Sequence, residues 1–452
     1  MASSTCITRD PMSGAYTEKI TISCWIKICD PDLSNGGGIF MIRKGNSYAN
    51  SRLRIYLESG SNKLVWELKD STGSDDSFLK SNARLRDVGA WYHICMSYDS
   101  GLSTAADRLK MWINGKDVRT EYGGFQSDDQ VGSGFGLLCS SAMFVALGRI
   151  DENNGVDYKF DGSMAECYFI YDSTYDVSTF GETDTTTGEW KPKLDIASGI
   201  TFGSQGFYFP FTNAADMKAD GSGNSNTYTI TGSLTQSKDS PSTNMSSLNP
   251  LWTQESTRVP ALTKGNTMFS GGSNATWYQT IGTLGFSSGK YYWEAKYNAG
   301  TNLGKNLVGA IGIDGVSSGV FYEKTPSIFY KNEDGGEYRL NNSQSSGNYG
   351  TLAQNDILGC AIDMDASTPT ATFYKNGSAL VSNVSLTGFA GKTIVPAVST
   401  YSSGEFQMNF GNGSFGGTAL TGTTYSGADG SSTFQYEPPT GYSAVSTKGL
   451  NA

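Results

Sequence analysis

Apolar and polar residues alternate along much of the chain, which is the pattern of β-strands that bury one face. The clearest example is Lys19–Ile28 (KITISCWIKI), in which Ile or Cys occupies every second position. Further strand-like segments follow at 51–57, 63–68, 91–98, 108–113, 143–148 and 164–171. Because short polar turns separate these segments, we predict a meander of antiparallel strands.

Two of the predicted turns contain the dipeptide Asn-Gly. It ends a strand pattern in KMWINGKDV, at Asn114 and Gly115, and again in TFYKNGSAL, at Asn376 and Gly377. Both residue types tolerate positive φ, as the central positions of a type I′ hairpin require. We therefore predict a tight hairpin turn at Asn114, and the recurrence is compatible with two domains of one architecture.

The composition changes sharply after the apolar run GFYFPF at 206–211. Residues 213–247 are polar and rich in Gly, Ser and Thr, and strand patterns resume near Trp277. We interpret 213–262 as an ordered connection draped on the first domain, between a domain at 1–212 and a second at 263–452. The predicted fold is all-β, with two tandem antiparallel β-sandwich (jelly-roll) domains.

Composition supports strands and excludes several classes of function. The 452 residues include 56 Gly and 12 Pro, while 17% are charged and 12% aromatic, which disfavours a helical protein. The net charge of −10, without a basic run, excludes a phosphate-binding face, so we expect no nucleic-acid partner. The longest uncharged stretch, 131–148, is interrupted by Gly and Ser, and we expect no membrane insertion.

The seven cysteines indicate a reducing compartment. Six of them lie in the first 170 residues without CxxC spacing: Cys6, Cys24, Cys29, Cys95, Cys139 and Cys167. Several occupy apolar positions of strand-like runs, where a thiol acts as a small hydrophobic group. We therefore expect reduced structural thiols, and neither a disulfide scaffold nor a zinc site.

In the first half, the order of several motifs resembles a known fold family. The motifs are ITISCWIK, AWYHICMSYDS, AADRLKMWINGKDV and LGRIDENNGVDYKFDGSMAECYFIYD. Together they resemble the laminin-G-like, concanavalin A-like lectin/glucanase fold over residues 5–212. FGETDTTTGEWKPK, GFYFPF, DGSGNSNTYTI and DSPSTN follow in the order found in the bacteriophage version of that family.

The second half resembles a SPRY domain, which is a β-sandwich of the same broad class. The resemblance rests on GKYYWEAKYN, VGAIGID, NDILGCAIDMD, TFYKNG and IVPAVS, and covers about residues 263–415. The closing PPTGYSAVSTKGLN is similar to the tail of phage proteins that pair these two modules.

Taken together, the resemblances imply a bacteriophage virion protein, displayed on the particle surface and assembled in the host cytoplasm. They imply other virion proteins as partners and a host cell-surface glycan or receptor as ligand. By analogy with phage appendages we expect a homo-oligomer, with a trimer as one form, although no coiled-coil heptads support it.

No motif predicts catalysis, and we expect a protein without enzymatic activity. Glucanases of the concanavalin-like fold place carboxylates at alternate positions of one strand. The nearest match is AIDMD, in which Ala361 stands where the first carboxylate would be, followed by Asp363 and Asp365. The single histidine, His93, lies in the strand-like WYHICMSY, where a packed structural role is favoured over a catalytic one.

The family resemblance also raises the question of calcium. Laminin-G-like domains often hold one Ca²⁺ at a loop rim through carboxylate, amide and backbone oxygens, and Asp151, Asn153 and Asp157 supply such groups here. A second, weaker cluster comprises Asp216, Asp220 and Asn224. We favour ordinary Asx-rich turns for both, and expect no cofactor beyond this structural calcium alternative.

The candidate ligand-binding surface is the loop rim of the SPRY-like half. It comprises 316–324 and 332–345, and its mixed charges and aromatics are Asp334, Glu337, Tyr338, Arg339 and Asn341. Loops of this composition recognise peptides or glycans, and they also simply cap sandwiches.

Three hypotheses of function follow, and we favour a non-enzymatic virion surface protein, such as a tail fibre or appendage, that binds a host glycan or receptor. The alternative is a capsid or tail decoration protein that makes protein contacts. It is motivated by the start of the lectin-like domain within the first few residues, which leaves no room for a fibre anchor. The third hypothesis is a polysaccharide-degrading enzyme.

Overall fold

The chain folds into two compact units, Met1–Gln236 and Ser237–Ala452. The computed structural model describes residues 5–12, 16–31, 36–44, 52–69, 76–138, 143–151, 157–252, 258–298, 305–316, 319–333 and 335–451. Nearly all regular structure in both units is antiparallel β-sheet, as predicted. Within these ranges, no helix has the length and apolar character needed to cross a lipid bilayer.

The first unit contains two large antiparallel sheets. Its elements are β1 (Cys6–Met12), β2 (Tyr16–Thr17), β3 (Lys19–Ile28), β4 (Gly37–Lys44), β5 (Arg52–Leu57), β6 (Lys63–Lys69), β7 (Asp76–Arg84), β8 (Trp91–Asp99), α1 (Ala105–Arg108), β9 (Leu109–Ile113), β10 (Lys116–Asp117), β11 (Phe125–Asp129), β12 (Leu137–Leu138), β13 (Met143–Leu147), β14 (Arg149–Asp151), β15 (Asp157–Lys159), β16 (Gly162–Tyr171), β17 (Gly181–Thr183), β18 (Trp190–Pro192), β19 (Phe207–Phe209) and β20 (Thr229–Thr231). One sheet runs β11-β7-β6-β5-β4-β13-β1-β20, and the other runs β10-β9-β8-β3-β16-β19.

The core of the first unit joins the inner faces of these sheets. Ile20, Ile22 and Cys24 of β3 share one buried cluster with Phe40 and Trp66 of the larger sheet. The alternation in β3 therefore marks its core face, as predicted. Between β9 and β10, Asn114 (φ 48°) and Gly115 (φ 76°) both adopt the left-handed conformation, which confirms the type I′ hairpin.

The cysteines behave as small hydrophobic groups. Six in the described ranges are buried, namely Cys6, Cys24, Cys29, Cys95, Cys167 and Cys360, whereas Cys139 lies outside the described residues. Burial raises the pKa of the thiols of Cys95, Cys167 and Cys360 well above the ordinary value, which keeps them protonated and weakly nucleophilic.

The second unit repeats the two-sheet plan. Its elements are β21 (Ala261–Thr263), β22 (Met268–Ser270), β23 (Trp277–Ile281), β24 (Lys290–Tyr297), β25 (Asn306–Gly312), β26 (Ser327–Lys331), β27 (Glu337–Leu340), β28 (Ser343–Gln344), β29 (Ile357–Asp363), β30 (Thr370–Lys375), β31 (Ser378–Ser385), β32 (Ile394–Tyr401), β33 (Glu405–Asn409), β34 (Ser414–Phe415), β35 (Thr418–Ala419), β36 (Ser443–Ala444) and α2 (Thr447–Leu450). One sheet runs β21-β22-β33-β24-β29-β30-β31, with β36 parallel to β24, and the other runs β23-β32-β25-β26-β27-β28.

Residues 213–262, interpreted from the sequence as a connection, are divided between the two units. β20 pairs with β1 as the edge strand of the first unit. Leu248, in contrast, is buried in the core of the second unit together with Trp293 and Tyr330. The part of this polar segment up to Gln236 therefore belongs to the first unit, and the part from Ser237 belongs to the second.

A buried carboxylate attaches the C-terminal segment to β24. Glu294 is fully buried and accepts hydrogen bonds from the backbone N–H groups of Gln435 (2.9 Å) and Tyr436 (2.8 Å) and from Asn409 Nδ2 (2.9 Å). Burial raises the pKa of Glu294 from 4.5 to about 7, and these donors only partly offset the rise. The carboxyl group therefore titrates near neutral pH in the folded chain.

The raised pKa predicts a pH dependence of stability. Between about pH 4.5 and 7 the unfolded chain loses this proton while the folded chain keeps it, so the free energy of unfolding falls as pH rises. The loss approaches about 3 kcal/mol over that interval, at ~1.4 kcal/mol per pKa unit. Glu294→Gln removes the titrating group, so the free energy of unfolding of the variant should lack this fall. Urea unfolding of both proteins at a series of pH values should therefore show the wild type losing that amount of stability relative to the variant.

The exposed Glu437 provides the matched control. Glu437→Gln should leave the pH dependence of wild type unchanged. A difference between wild type and Glu294→Gln that stays constant from pH 4.5 to 7 would contradict the assignment.

Candidate functional site

The predicted ligand residues on β27 divide between the two faces of its sheet. In the register with β26, Glu337 lies opposite Lys331 and Arg339 opposite Phe329. These side chains share the outer face, because alternate residues of a strand point the same way. Tyr338 points to the core face, where its ring lies 5.7 Å from that of Tyr349. The structure thus brings together Glu337 and Arg339 but separates Tyr338 from them.

The two remaining candidates are not part of this outer face. Asp334 lies outside the described residues. Asn341 adopts a positive φ of 52°, accepts a hydrogen bond from Ser327 N (3.0 Å) through Oδ1 and donates one from Nδ2 to Thr387 O (2.9 Å). Its side chain is therefore engaged in holding the turn after β27.

On the outer face, one buried carboxylate organises two cations. Glu337 is 2% exposed, accepts a hydrogen bond from Arg339 Nε at 2.6 Å and lies 3.8 Å from Lys331 Nζ. Lys331 also forms an ion pair with Glu333. Charge-assisted contacts of this kind fix the directions of long cationic side chains that would otherwise be mobile.

Both cations approach the ring of Tyr322. Arg339 Cζ lies 5.5 Å and Lys331 Nζ 5.7 Å from its centroid, within the range of cation–π attraction. Tyr322 belongs to the 3-10 turn Phe321–Glu323 and is half-buried. Strands β26 and β27 and this turn therefore meet at the tyrosine.

The aromatic contacts continue across the sheet from Tyr322. Trp277 lies 5.5 Å from Tyr322 and 5.5 Å from Tyr401, with the ring planes steeply inclined in both pairs. Lys305 Nζ lies 4.6 Å from the ring of Tyr401. Aromatic pairs in this geometry add about 0.5–1.5 kcal/mol beyond their area burial.

We call this group of six side chains the aromatic strip. It consists of the half-buried rings of Trp277, Tyr322 and Tyr401 and the cations of Lys305, Lys331 and Arg339. The strip combines partly exposed ring surface with fixed N–H donors. Such a surface can stack on a flat apolar face of a ligand and donate hydrogen bonds at its rim.

Strand register and a buried amide position the rings of the aromatic strip. Trp277 of β23 lies directly opposite Tyr401 of β32, so their side chains share the outer face. Gln279, two residues along, is fully buried, accepts from Phe321 N (3.1 Å) and donates to Gly319 O (2.6 Å). These bonds hold the segment that carries Tyr322 down on the sheet, where Phe321 packs against Phe329.

Sequence reasoning included Tyr322 within its predicted loop rim but missed most of the strip. Trp277, Lys305 and Tyr401 are far apart in the sequence and meet only through the pairing of β23, β32 and β25. A lone aromatic residue at the start of a strand carries no signal of such a partner. Knowledge of the strand register would have found them.

His93 has a structural role in the first unit. It is fully buried, and its Nδ1 accepts a hydrogen bond from Trp190 Nε1 at 3.0 Å. The neutral ring must then carry its proton on Nε2, which donates to Ser23 Oγ at 2.8 Å. Nε2 therefore has no lone pair with which to take a proton from Ser23, and burial lowers the pKa of His93 to about 3.

Tight packing keeps Trp190 in this position. A Cβ atom added to Gly115 or Gly181 would lie 2.5 Å from atoms of the Trp190 ring, so the indole fits between two glycines. The histidine is thus a buried packing element, as the sequence predicted.

Within the described residues, the other candidates from the sequence hold turns or form an ion pair. Asp220 accepts from Tyr208 N (3.1 Å) and Ser222 N (2.9 Å), and Asn224 Nδ2 donates to Gly206 O (2.9 Å). In the AIDMD motif, Asp363 pairs with Lys290 (3.0 Å), and Asp365 accepts from Gly289 N (2.6 Å).

The backbone of Asp151 pairs with that of Asp157 between β14 and β15, while Asn153 lies outside the described residues. Among the described residues, no group of three or more His, Cys, Asp or Glu is arranged to hold a metal ion.

The role of Gln279 predicts a local change without global unfolding. Gln279→Ala leaves the buried N–H of Phe321 without its partner, at a cost of about 1–3 kcal/mol, and removes the bond to the half-buried C=O of Gly319. The segment should open more often, so trypsin cleavage after Lys324 should accelerate at least about tenfold. Limited proteolysis followed by mass spectrometry measures this rate.

Gln344→Ala, at an exposed position on β28, is the control and should be cleaved as slowly as wild type. Equal cleavage rates in Gln279→Ala and wild type would show that Gln279 does not hold the segment.

Comparisons with known proteins agree with the two units. A laminin-G-type model of the concanavalin A-like lectin/glucanases superfamily matches residues 3–173, and the SPRY domain model matches residues 290–413. No curated protein matches the chain.

Several solved structures are similar to parts of the chain. The human HERC1 SPRY domain is 19% identical, covers 36% of this chain and 96% of its own, and has a TM-score of 0.29. The native heptameric SAP-like pentraxin from Limulus polyphemus is 16% identical, covers 51% and 90%, and has a TM-score of 0.30. The TRIM65 PSpry domain is 12% identical, covers 36% and 87%, and has a TM-score of 0.28. On the two family matches, the chain carries a concanavalin A-like domain followed by a SPRY domain.

Proposed function

We propose that the protein is a non-enzymatic surface protein of a bacteriophage virion, a tail fibre or appendage, that binds a host-surface glycan or receptor through the aromatic strip. The observation that carries this proposal is the strip itself. The half-buried rings of Trp277 and Tyr401 lie on one sheet face, and Tyr322 lies beside them on the adjoining turn. Ion pairs fix the directions of Lys331 and Arg339, and Lys305 lies over the ring of Tyr401.

A glycan suits the chemistry of the strip. A sugar ring presents a flat C–H face that can pack on an aromatic ring, and its hydroxyl groups can accept hydrogen bonds from Lys and Arg at the rim. The rings of Trp277 and Tyr322 offer the first kind of contact, while Lys305 and Arg339 offer the second. Binding costs little side-chain entropy, because packing already orders these groups.

Support for a non-enzymatic role comes from the groups that could have been catalytic. In the Ser23–His93 pair, the Trp190 indole donates to Nδ1 of His93, so the ring carries its proton on Nε2, the nitrogen that faces Ser23. A general base would need that nitrogen unprotonated. Asp363 and Asp365 are engaged by Lys290 and by the Gly289 backbone. Neither group leaves a nucleophile and base facing a common cleft.

The virion assignment rests on the order of motifs across both domains. Buried thiols of raised pKa suit assembly in the reducing host cytoplasm. The partners proposed are other virion proteins, a further copy of the chain and the host surface. A capsid or tail decoration protein remains the alternative, in which the same strip contacts a virion protein.

Variants of the strip test the proposal. In Tyr322→Ala and Lys305→Gln, binding of the purified protein to host cells and to bacterial glycans on an array should weaken by about tenfold or more, since each change removes a stacking face or a charged donor. Fluorescence binding isotherms give the affinities, and thermal melts confirm folding.

Tyr122→Ala, which removes a 40% exposed aromatic ring from the first unit, is the matched control and should bind like wild type. Absence of binding to host cells and glycans at millimolar concentration would refute the proposal. Retention of binding in both strip variants would instead refute the assignment of the site. Immunogold labelling of the capsid, together with normal adsorption by a deletion phage, would favour the decoration alternative.

A further inference from the structure

A second group of half-buried aromatic rings lies in the second unit, on the sheet that does not carry the aromatic strip. It consists of Tyr374 of β30 and of Tyr436 and Tyr442 in the C-terminal segment. The ring of Tyr374 lies 6.4 Å from the buried ring of Tyr292 and is steeply inclined to it. Tyr442 packs against the same buried cluster, which also contains Phe434. We call the three half-buried rings the tyrosine platform.

The platform follows the length of β30. Burial raises the pKa of Tyr442 to about 12, and both Asp363 and Tyr374 are close enough to add to the rise. Asp363 pairs with the first residue of β30, so Tyr442 lies toward that end. Tyr436 packs on the turn at the other end, where a Cβ atom added to Gly377 would lie 2.8 Å from its ring. Tyr374 lies between the two ends of the strand.

Backbone hydrogen bonds hold the two tyrosines of the C-terminal segment. Tyr436 N donates to Glu294 Oε1 at 2.8 Å. Tyr442 O accepts from Ala428 N at 2.8 Å, and the next two residues form β36 beside β24. The rings are therefore ordered before a ligand binds, which reduces the entropy cost of binding.

The phenol hydroxyls of the platform are available to a ligand. Within the part of the chain that the structure describes, the hydroxyls of Tyr374, Tyr436 and Tyr442 form no hydrogen bond, and all three remain accessible to solvent. The buried hydroxyl of Tyr292, in contrast, donates to Glu294 Oε1 at 3.3 Å. Each ring of the platform thus combines an apolar face with a hydroxyl that can donate or accept.

Each end of the platform has a carboxylate that is paired with a lysine. These ion pairs are Asp363–Lys290 at 3.0 Å, beside Tyr442, and Asp356–Lys375 at 2.9 Å, beside Tyr436. Because the charges compensate each other, an anionic ligand gains no net attraction there. The carboxylate oxygens can still accept hydrogen bonds from hydroxyl groups. The surroundings therefore favour a neutral ligand that carries several hydroxyls.

A chain of neutral sugars has the matching chemistry. The C–H face of a sugar can pack on a phenol ring, and its hydroxyls can exchange hydrogen bonds with phenol and carboxylate oxygens. We propose that the tyrosine platform is a second binding site of the protein, specific for a neutral oligosaccharide that stacks on Tyr374 and Tyr442. This site does not depend on glycan binding by the aromatic strip.

Titration of the full chain with neutral trisaccharides tests the platform. The probes are maltotriose, cellotriose, mannotriose and triacetylchitotriose, and saturation-transfer difference NMR measures their affinities. At least one of them should bind. Tyr374→Ala and Tyr442→Ala should each weaken its binding about tenfold or more, because each change removes a stacking face. A higher salt concentration should leave the affinity unchanged, since the ligand carries no charge.

Two further variants separate the outcomes. Tyr442→Phe keeps the ring and loses only the hydroxyl, so it should weaken binding several-fold, and it serves if Tyr442→Ala does not fold. Tyr122→Ala, which removes an exposed ring from the first unit, is the control and should bind the trisaccharide like wild type. Thermal melts report the folding of each variant.

Four results would overturn the platform. The first two are absence of binding by all four trisaccharides at millimolar concentration and equal affinity in wild type and both alanine variants. The third is an affinity that falls steeply with salt. The fourth is binding that is lost in Tyr322→Ala but kept in Tyr442→Ala, which would assign the neutral sugar to the aromatic strip.

Discussion

Every strand of a two-layer sandwich has an inner and an outer face, and burial of the inner faces against each other is the interaction on which the rest of this structure depends. In both units the inner faces form a continuous apolar core, which is rich in isoleucine and aromatic rings in the first unit and mainly in aromatic rings in the second. Alternation then places the remaining side chains of the same strands on the outer faces. Those side chains must meet solvent, a covering segment or a partner.

Irregular segments cover much of the outer faces. In the first unit, Tyr168, Phe180 and Phe202 form a second apolar cluster, beside which Trp190 closes over His93. In the second unit, the segment around Phe321 covers one sheet, and the C-terminal segment held by Glu294 covers the other. The aromatic strip lies at the border of the segment around Phe321, where packing is sufficient to fix the rings but does not bury them completely.

Much of the fold could be predicted from the sequence, because alternation and Asn-Gly turns are local signals. Lys19–Ile28 and Asn114 illustrate this. The candidate site was harder to predict from the sequence. Trp277, Tyr322 and Tyr401 meet through strand register and a buried glutamine, neither of which produces a local sequence pattern. The sequence placed Glu337 and Arg339 in a loop rim, whereas in the structure they lie on a strand, β27, and share its outer face.

Hydrogen–deuterium exchange of the full chain, with and without a bacterial surface polysaccharide that it binds, tests the central claim most directly. If the polysaccharide binds at the aromatic strip, protection from exchange should increase most in Trp277–Ile281, in residues 319–331 and in Glu337–Leu340. Binding of the polysaccharide that leaves the exchange of these three segments unchanged would contradict the account.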